Sequence, residues 1–135
     1  MKYLVALDIG ITTGVAVYWY GGKDLRGELR YTLEETEVLS PDFLRDGIKR
    51  IIRQYMISYS VAELPLIVRG PLGNDLQECV NIVRAELPHQ CEWVAPSQWK
   101  GTPSSKIKCP RGLTAHERDA IRIGHWYMAT RLANL

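Results

Sequence analysis

The chain has 135 residues, of which 46% are hydrophobic and 24% charged, with a formal net charge of +2. Those figures suit one globular domain with a real core, and the small net charge leaves nucleic-acid binding to depend on a local basic patch. Lys2 and Asp8 bracket only a short apolar run, which argues against a signal peptide or membrane span, while Cys79, Cys91 and Cys109 form no CxxC pair, which argues against a zinc ribbon or disulfide framework and for a reducing, cytoplasmic setting.

In chain order, Tyr3 to Asp8 reads as a buried strand and Gly14 to Tyr20 as a second, rich in β-branched and aromatic residues. Gly21-Gly22 ends it, and a third strand is expected from Glu28 to Leu33. The short connections make these three an antiparallel meander. Ser40-Pro41 supplies an N-cap and a first-turn proline, and Phe43, Leu44, Ile48, Ile51, Ile52, Tyr55 and Met56 recur at helical spacing, so a helix is expected from Pro41 to Ser58. Leu66-Ile67-Val68 reads as a short buried strand ending at Arg69-Gly70-Pro71, and Asn74 or Asp75 as the cap of a helix running to Leu87. Cys91 to Ala95 is the last strand. Thr114 caps a final helix, with Glu117 completing a capping box. The order β-β-β-α-β-α-β-α implies an α/β fold, a mixed five-stranded sheet flanked by helices. Sites in such sheets form where strand ends meet a helix terminus.

Asp8 closes the first strand and faces the turn Ile9-Gly10-Ile11-Thr12-Thr13-Gly14. A carboxylate there can hold Mg²⁺ while the Gly- and Thr-rich backbone approaches a phosphate; the same residues also make an ordinary hairpin turn. His116 and Asp119 are spaced to share a face of the last helix. They can bind one cation, or His116 can move a proton; alternatively, acids in the first turn merely complement the helix dipole. Glu117 points about 100° away from His116 and reads as a cap. Lys100, Lys106, Lys108 and Arg111 lie in a loop with Trp93 and Trp99 nearby, a pattern suited to phosphate contacts and base stacking, or simply to solvation. Trp19, Tyr18, Tyr20, Trp126 and Tyr127 read as core or interface residues, His125 as a packing residue and His89 as an exposed turn residue.

Three segments in this order resemble the RuvC branch of the ribonuclease H-like superfamily, the Holliday-junction resolvases, and most closely its compact phage-type members: Leu4 to Gly14, Val94 to Gly101 (Val-Ala-Pro-Ser-Gln-Trp-Lys-Gly), and His116 to Gly124. The resemblance spans nearly the whole chain. It implies a Mg²⁺-dependent endonuclease (Mn²⁺ as a substitute) that cuts four-way or otherwise branched DNA. Asp8, Asp119 and His116 would be the ligands of two ions about 3.5–4 Å apart. Lys100, Lys106, Lys108, Arg111, Thr12 and Thr13 would contact DNA, and a two-fold homodimer would place one site on each strand. A cytoplasmic location, the host's if phage-encoded, goes with that reading.

The family carries a Glu at the end of the fourth strand, and with that strand at Leu66 to Val68 the position falls on Arg69. A guanidinium repels a divalent cation by several kcal/mol at about 4 Å and could instead pair with Asp8 in the metal's place. Three explanations stay open: an engineered inactivation, a degenerate enzyme that still binds junctions, or a strand in another register. The alternative function is thus a non-catalytic junction-binding protein on the same fold. A phosphate loop of the actin and sugar-kinase type also begins with Asp-x-Gly-x-Thr, but requires two such domains, for which this length leaves no room.

Overall fold

A computed structural model describes residues 2–66, 69–87 and 91–134. Strands β1 (Lys2–Asp8), β2 (Thr13–Lys23) and β3 (Leu29–Leu39) form the expected meander, and α1 (Pro41–Tyr55) follows it. Then come β4 (Tyr59–Glu63), α2 (Pro71–Glu86), β5 (Cys91–Val94), the short α3 (Pro96–Trp99), a 3₁₀ turn (Pro103–Lys106) and α4 (Ala115–Thr130), with a last 3₁₀ turn at Leu132–Asn134. The sheet has five strands in the order β3-β2-β1-β4-β5, with β1 parallel to β4 and β4 parallel to β5. Fold class and element order are those read from the sequence.

Alternation along the central strands divides the core into two layers. Leu4, Ala6, Ala16, Tyr18, Tyr20 and Val61 face α4, where Ala120, Ile121, Ile123, Trp126, Tyr127 and Met128 cover them. Val5, Leu7, Val15 and Val17 face the other way and are covered by Leu44, Ile48 and Ile51 of α1 and Cys79, Val80 and Val83 of α2. Burying each large apolar side chain stabilises the fold by about 1.5–3 kcal/mol, and β1, apolar on both faces, is fixed at the centre. Trp126 and Tyr127 are core residues as expected, whereas Trp19 and Trp93 are only half-buried. Phe43 lies on the exposed side of α1.

Several local expectations need correction. The third strand runs on to Leu39, because it pairs with β2 along nearly its whole length. The first helix stops at Tyr55, where Met56 takes a left-handed conformation and bonds back to Ile52. Ser40 occupies the N-cap of α1 without a side-chain cap bond, so Pro41 is the effective start signal. Helix α2 begins at Pro71 after Gly70, which adopts φ +107°, a value that favours glycine; Asn74 and Asp75 therefore lie inside the helix.

The fourth strand is the consequential correction. It occupies Tyr59–Glu63, and Leu66 lies outside it, exposed; Ile67 and Val68 lie outside the described residues, as does His89. Pairing with β1 matches Leu4 with Tyr59 and Asp8 with Glu63. Among the described residues, no helix is long and apolar enough to cross a membrane.

Candidate active site

Asp8 ends β1, and the two neighbouring strands bring Gly14 and Glu63 level with it. The glycine matters because the first turn of α4 rests on it: a Cβ at Gly14 would lie 2.1 Å from the His116 carbonyl oxygen. Only a residue without a side chain lets β2 and α4 approach so closely. The approach delivers His116 to Asp8, with Nδ1 2.9 Å from Oδ2. Facing a carboxylate, Nδ1 is the donor, which leaves Nε2 to take or give a proton.

The start of α4 is fixed by its cap. Thr114 Oγ1 accepts from the Glu117 backbone N–H, and Glu117 Oε1 accepts from the Thr114 backbone N–H, the reciprocal box expected from the sequence. Glu117 also accepts a 2.6 Å bond from Thr36 of β3 through Oε2. Burial by itself would raise the Glu117 carboxyl, but the bonds from Thr36 and Thr114 outweigh it and hold the pKa below the usual range. Glu117 therefore anchors the helix start, in keeping with its expected capping role.

Glu63 falls six residues before Arg69, upstream of the strand expected from the sequence, and is passed over there as a substitute for the strand-end acid. Its side chain is buried at the end of β4, 7% exposed, and its Oε2 accepts from the indole Nε1 of Trp99 at 3.1 Å. Burial raises its carboxyl, the charge of Asp8 raises it further, Lys100 and the Trp99 hydrogen bond lower it, and Asp119 adds to the rise. Asp8 responds alike: burial raises it, the His116 hydrogen bond lowers it, Asp119 raises it, and the charges of His116 and Lys100 lower it. Asp8, Glu63 and Asp119 thus share one electrostatic neighbourhood at the strand ends. Lys100 borders it, with Nζ 5.6 Å from the centre of the Trp99 ring.

Arg69 is not at the strand end. It is exposed in the bend leading into α2, and the position opposite Asp8 belongs to Glu63. The side-chain partner of Asp8 is His116, so the pairing of Arg69 with Asp8 in a metal's place is overturned as well. The sequence misleads here because Leu66-Ile67-Val68 is more apolar than Tyr59-Ser60-Val61-Ala62-Glu63. No local signal chooses between the two runs, because Pro65 lies between them and interrupts neither.

Of the DNA-contact candidates, Lys106, Lys108 and Arg111 are exposed on the segment leading from the 3₁₀ turn toward α4. Hydrogen bonds tie that segment to α4, among them Ser104 Oγ with His125 Nδ1 at 2.8 Å, Arg118 to the Leu113 carbonyl at 2.7 Å and Arg122 to the Ile107 carbonyl at 3.4 Å. His125 therefore does more than pack. Thr12 is partly exposed beside Ser40 and Phe43. Thr13 is excluded: it is 1% exposed and its hydroxyl turns back 3.5 Å to the Gly10 carbonyl.

Carboxylate oxygens and an imidazole are the donor types that Mg²⁺ or Mn²⁺ takes, and beyond the rise due to burial the charge of Asp119 raises the carboxyls of both Asp8 and Glu63, a repulsion that a cation would offset. The donor types fit such an ion, although among the described residues no three His, Cys, Asp or Glu side chains are already gathered in position to hold one.

No protein-family pattern matches the sequence, and no curated protein is similar to it. Solved structures are similar in fold. Thermus thermophilus RuvC in complex with Holliday junction substrate superposes with a TM-score of 0.74 at 15% identity, covering 96% of this chain and 97% of that one. The T. thermophilus RuvC structure gives 0.71 at 16%, covering 95% and 96%. A fowlpox virus resolvase in complex with Holliday junction DNA gives 0.51 at 13%, covering 97% and 99%. At these identities the shared property is the fold.

Proposed function

We propose, from a RuvC-type fold with acidic residues converging at the ends of β1 and β4, that this chain is a structure-selective endonuclease acting on four-way DNA junctions. The observation that carries the proposal is the level pairing of Asp8 with Glu63, beside the helix start that bears His116 and Asp119. Asp8, Glu63 and Asp119 would hold the divalent cations, with His116 at the edge of the site. Held by those residues, two such ions would supply activation of a water and charge stabilisation for an in-line displacement at phosphorus. The chain's own groups supply the rest. Asp8 fixes the imidazole of His116 through Nδ1, so that Nε2 can take or give a proton. Lys100, next to the carboxylates, contributes positive charge toward a phosphate, and Lys106, Lys108 and Arg111 extend that charge along a DNA arm. A two-fold dimer would set one site on each of two strands, matching the symmetry of the junction.

The reading as a junction binder without activity rested on Arg69 at the strand end, and the position of Glu63 removes its motive. The test is cleavage of a labelled four-way junction in Mg²⁺, against a duplex of the same sequence. The chain should cut the junction and spare the duplex, and Asp8→Asn or Glu63→Gln should each reduce cutting at least about 100-fold, since metal assistance supplies several kcal/mol. Binding without cutting would favour the non-catalytic reading, and failure to bind junctions would end both.

A further inference from the structure

We infer that Trp99 is a positioning residue for the cation site, its indole N–H holding one oxygen of Glu63 so that the other is presented to the metal. The inference rests on the reading of Asp8, Glu63 and Asp119 as metal ligands.

Trp99 is 2% exposed, and its indole N–H donates to Glu63 Oε2 at 3.1 Å. Val94, the last residue of β5, is level with Glu63, and the chain then turns at once into α3. That turn is rigidly built. Gln98 Oε1 accepts from the Ala95 backbone N–H at 2.8 Å, and the Lys100 N–H bonds to the Pro96 carbonyl. The Trp99 carbonyl accepts from both the backbone N–H and the hydroxyl of Thr102, at 3.1 and 2.6 Å. With its backbone fixed on both sides and its ring packed in the core layer under α4, the indole has little freedom.

An indole is a donor only. It can therefore meet Glu63 solely through an acceptor oxygen, and it favours the ionised carboxylate that a cation needs. A backbone carbonyl would have satisfied the indole equally well as packing; the partner here is instead a buried acid at the end of a strand. Groups that orient a metal-binding side chain from behind typically affect metal affinity by about 10–100-fold. Lys100 follows directly, so the same turn also brings an ammonium next to the carboxylates.

The experiment is a Mg²⁺ titration of the full chain, labelled with ¹⁵N and followed at the tryptophan indole resonances. The Trp99 signal is identified by its loss in Trp99→Phe, which keeps an aromatic ring and removes the donor. In the unaltered chain that resonance should move on adding Mg²⁺ while those of Trp19, Trp93 and Trp126 stay, and it should not move in Glu63→Gln. Half-saturation by Mg²⁺, read from thermal stabilisation, should rise about 10-fold in Trp99→Phe, and excess Mg²⁺ should restore its cleavage rate, which general damage to the fold would not allow. If Trp99→Phe fails to fold, the resonance shift in the unaltered chain and its loss in Glu63→Gln carry the test. An unmoved Trp99 signal, or unchanged half-saturation in Trp99→Phe when Glu63→Gln weakens binding, overturns the positioning role and leaves the nuclease reading intact. Absence of any Mg²⁺ effect, together with no junction cleavage, overturns both.

Discussion

Asp8 and Glu63 stand level with each other at the ends of two adjacent parallel strands; burial raises both carboxyls, and the charge of Asp8 raises Glu63 further. Two like charges in register at the strand ends are unfavourable by themselves, so this pair lowers the stability of the fold.

That relationship has a definite sign in pH. A carboxyl whose pKa is higher in the folded state than in the unfolded one binds protons more tightly when folded. Stability therefore falls as pH rises from the ordinary carboxylate range through the raised folded pKa values of Asp8 and Glu63, and stays lower above them. Glu63→Gln removes one charge and keeps an oxygen to accept from Trp99. It should stabilise the protein by about 0.5–2 kcal/mol at neutral pH, with the gain shrinking in acid, as checked by thermal unfolding between about pH 4 and 8. Mg²⁺ at about 100 times its Kd should stabilise the unaltered chain by about 2.7 kcal/mol and Asp8→Asn by much less.

Gly14→Ala should be costly at a position that sequence patterns treat as a simple turn. The added Cβ would meet the His116 backbone at 2.1 Å, and backbone cannot swing aside as a flexible side chain can. Overpacking of this kind destabilises by about 1–3 kcal/mol. Separating α4 from β2 also lengthens the 2.9 Å His116–Asp8 hydrogen bond, so junction cleavage should fall more than the loss of folded protein explains. Cleavage rates normalised to the folded fraction measure that difference.

Arg69 provides the complementary control. Exposed in the bend before α2 and beyond the end of β4, it is outside the acidic cluster. Arg69→Glu should leave the Mg²⁺ dependence of cleavage unchanged within about two-fold and shift stability by less than about 0.5 kcal/mol. A large gain in cleavage would restore the register in which position 69 ends the strand.

Lys106, Lys108 and Arg111 lie exposed on a segment clamped by α4. Replacing all three with Ala should weaken junction binding and make the slope of log affinity against log salt shallower by about 2.7, since each phosphate that is no longer neutralised reduces it by about 0.9. His125→Leu, which removes the bond to Ser104 without removing a cation, should weaken binding and leave most of the slope in place. Filter binding across a range of salt concentrations separates the two effects.

Much of this arrangement was written locally in the chain. The apolar run ending at Asp8, the proline at the start of α1, the reciprocal cap of Thr114 and Glu117, and the spacing of His116 and Asp119 are each set by neighbouring residues, so pattern and propensity identify them. The partner of Asp8 was decided elsewhere. The short run Tyr59–Glu63 is too brief for periodicity to distinguish from the more apolar Leu66-Ile67-Val68. What selects it is parallel pairing with β1 across a long stretch of intervening chain, burial of Val61 and Ala62 on opposite faces of the sheet, and the indole of Trp99 waiting at the end. The type and order of the elements were legible in the sequence because short-range forces specify them. Which carboxylate completes the acidic cluster was decided by tertiary structure alone, because strand register is a long-range property of the folded sheet.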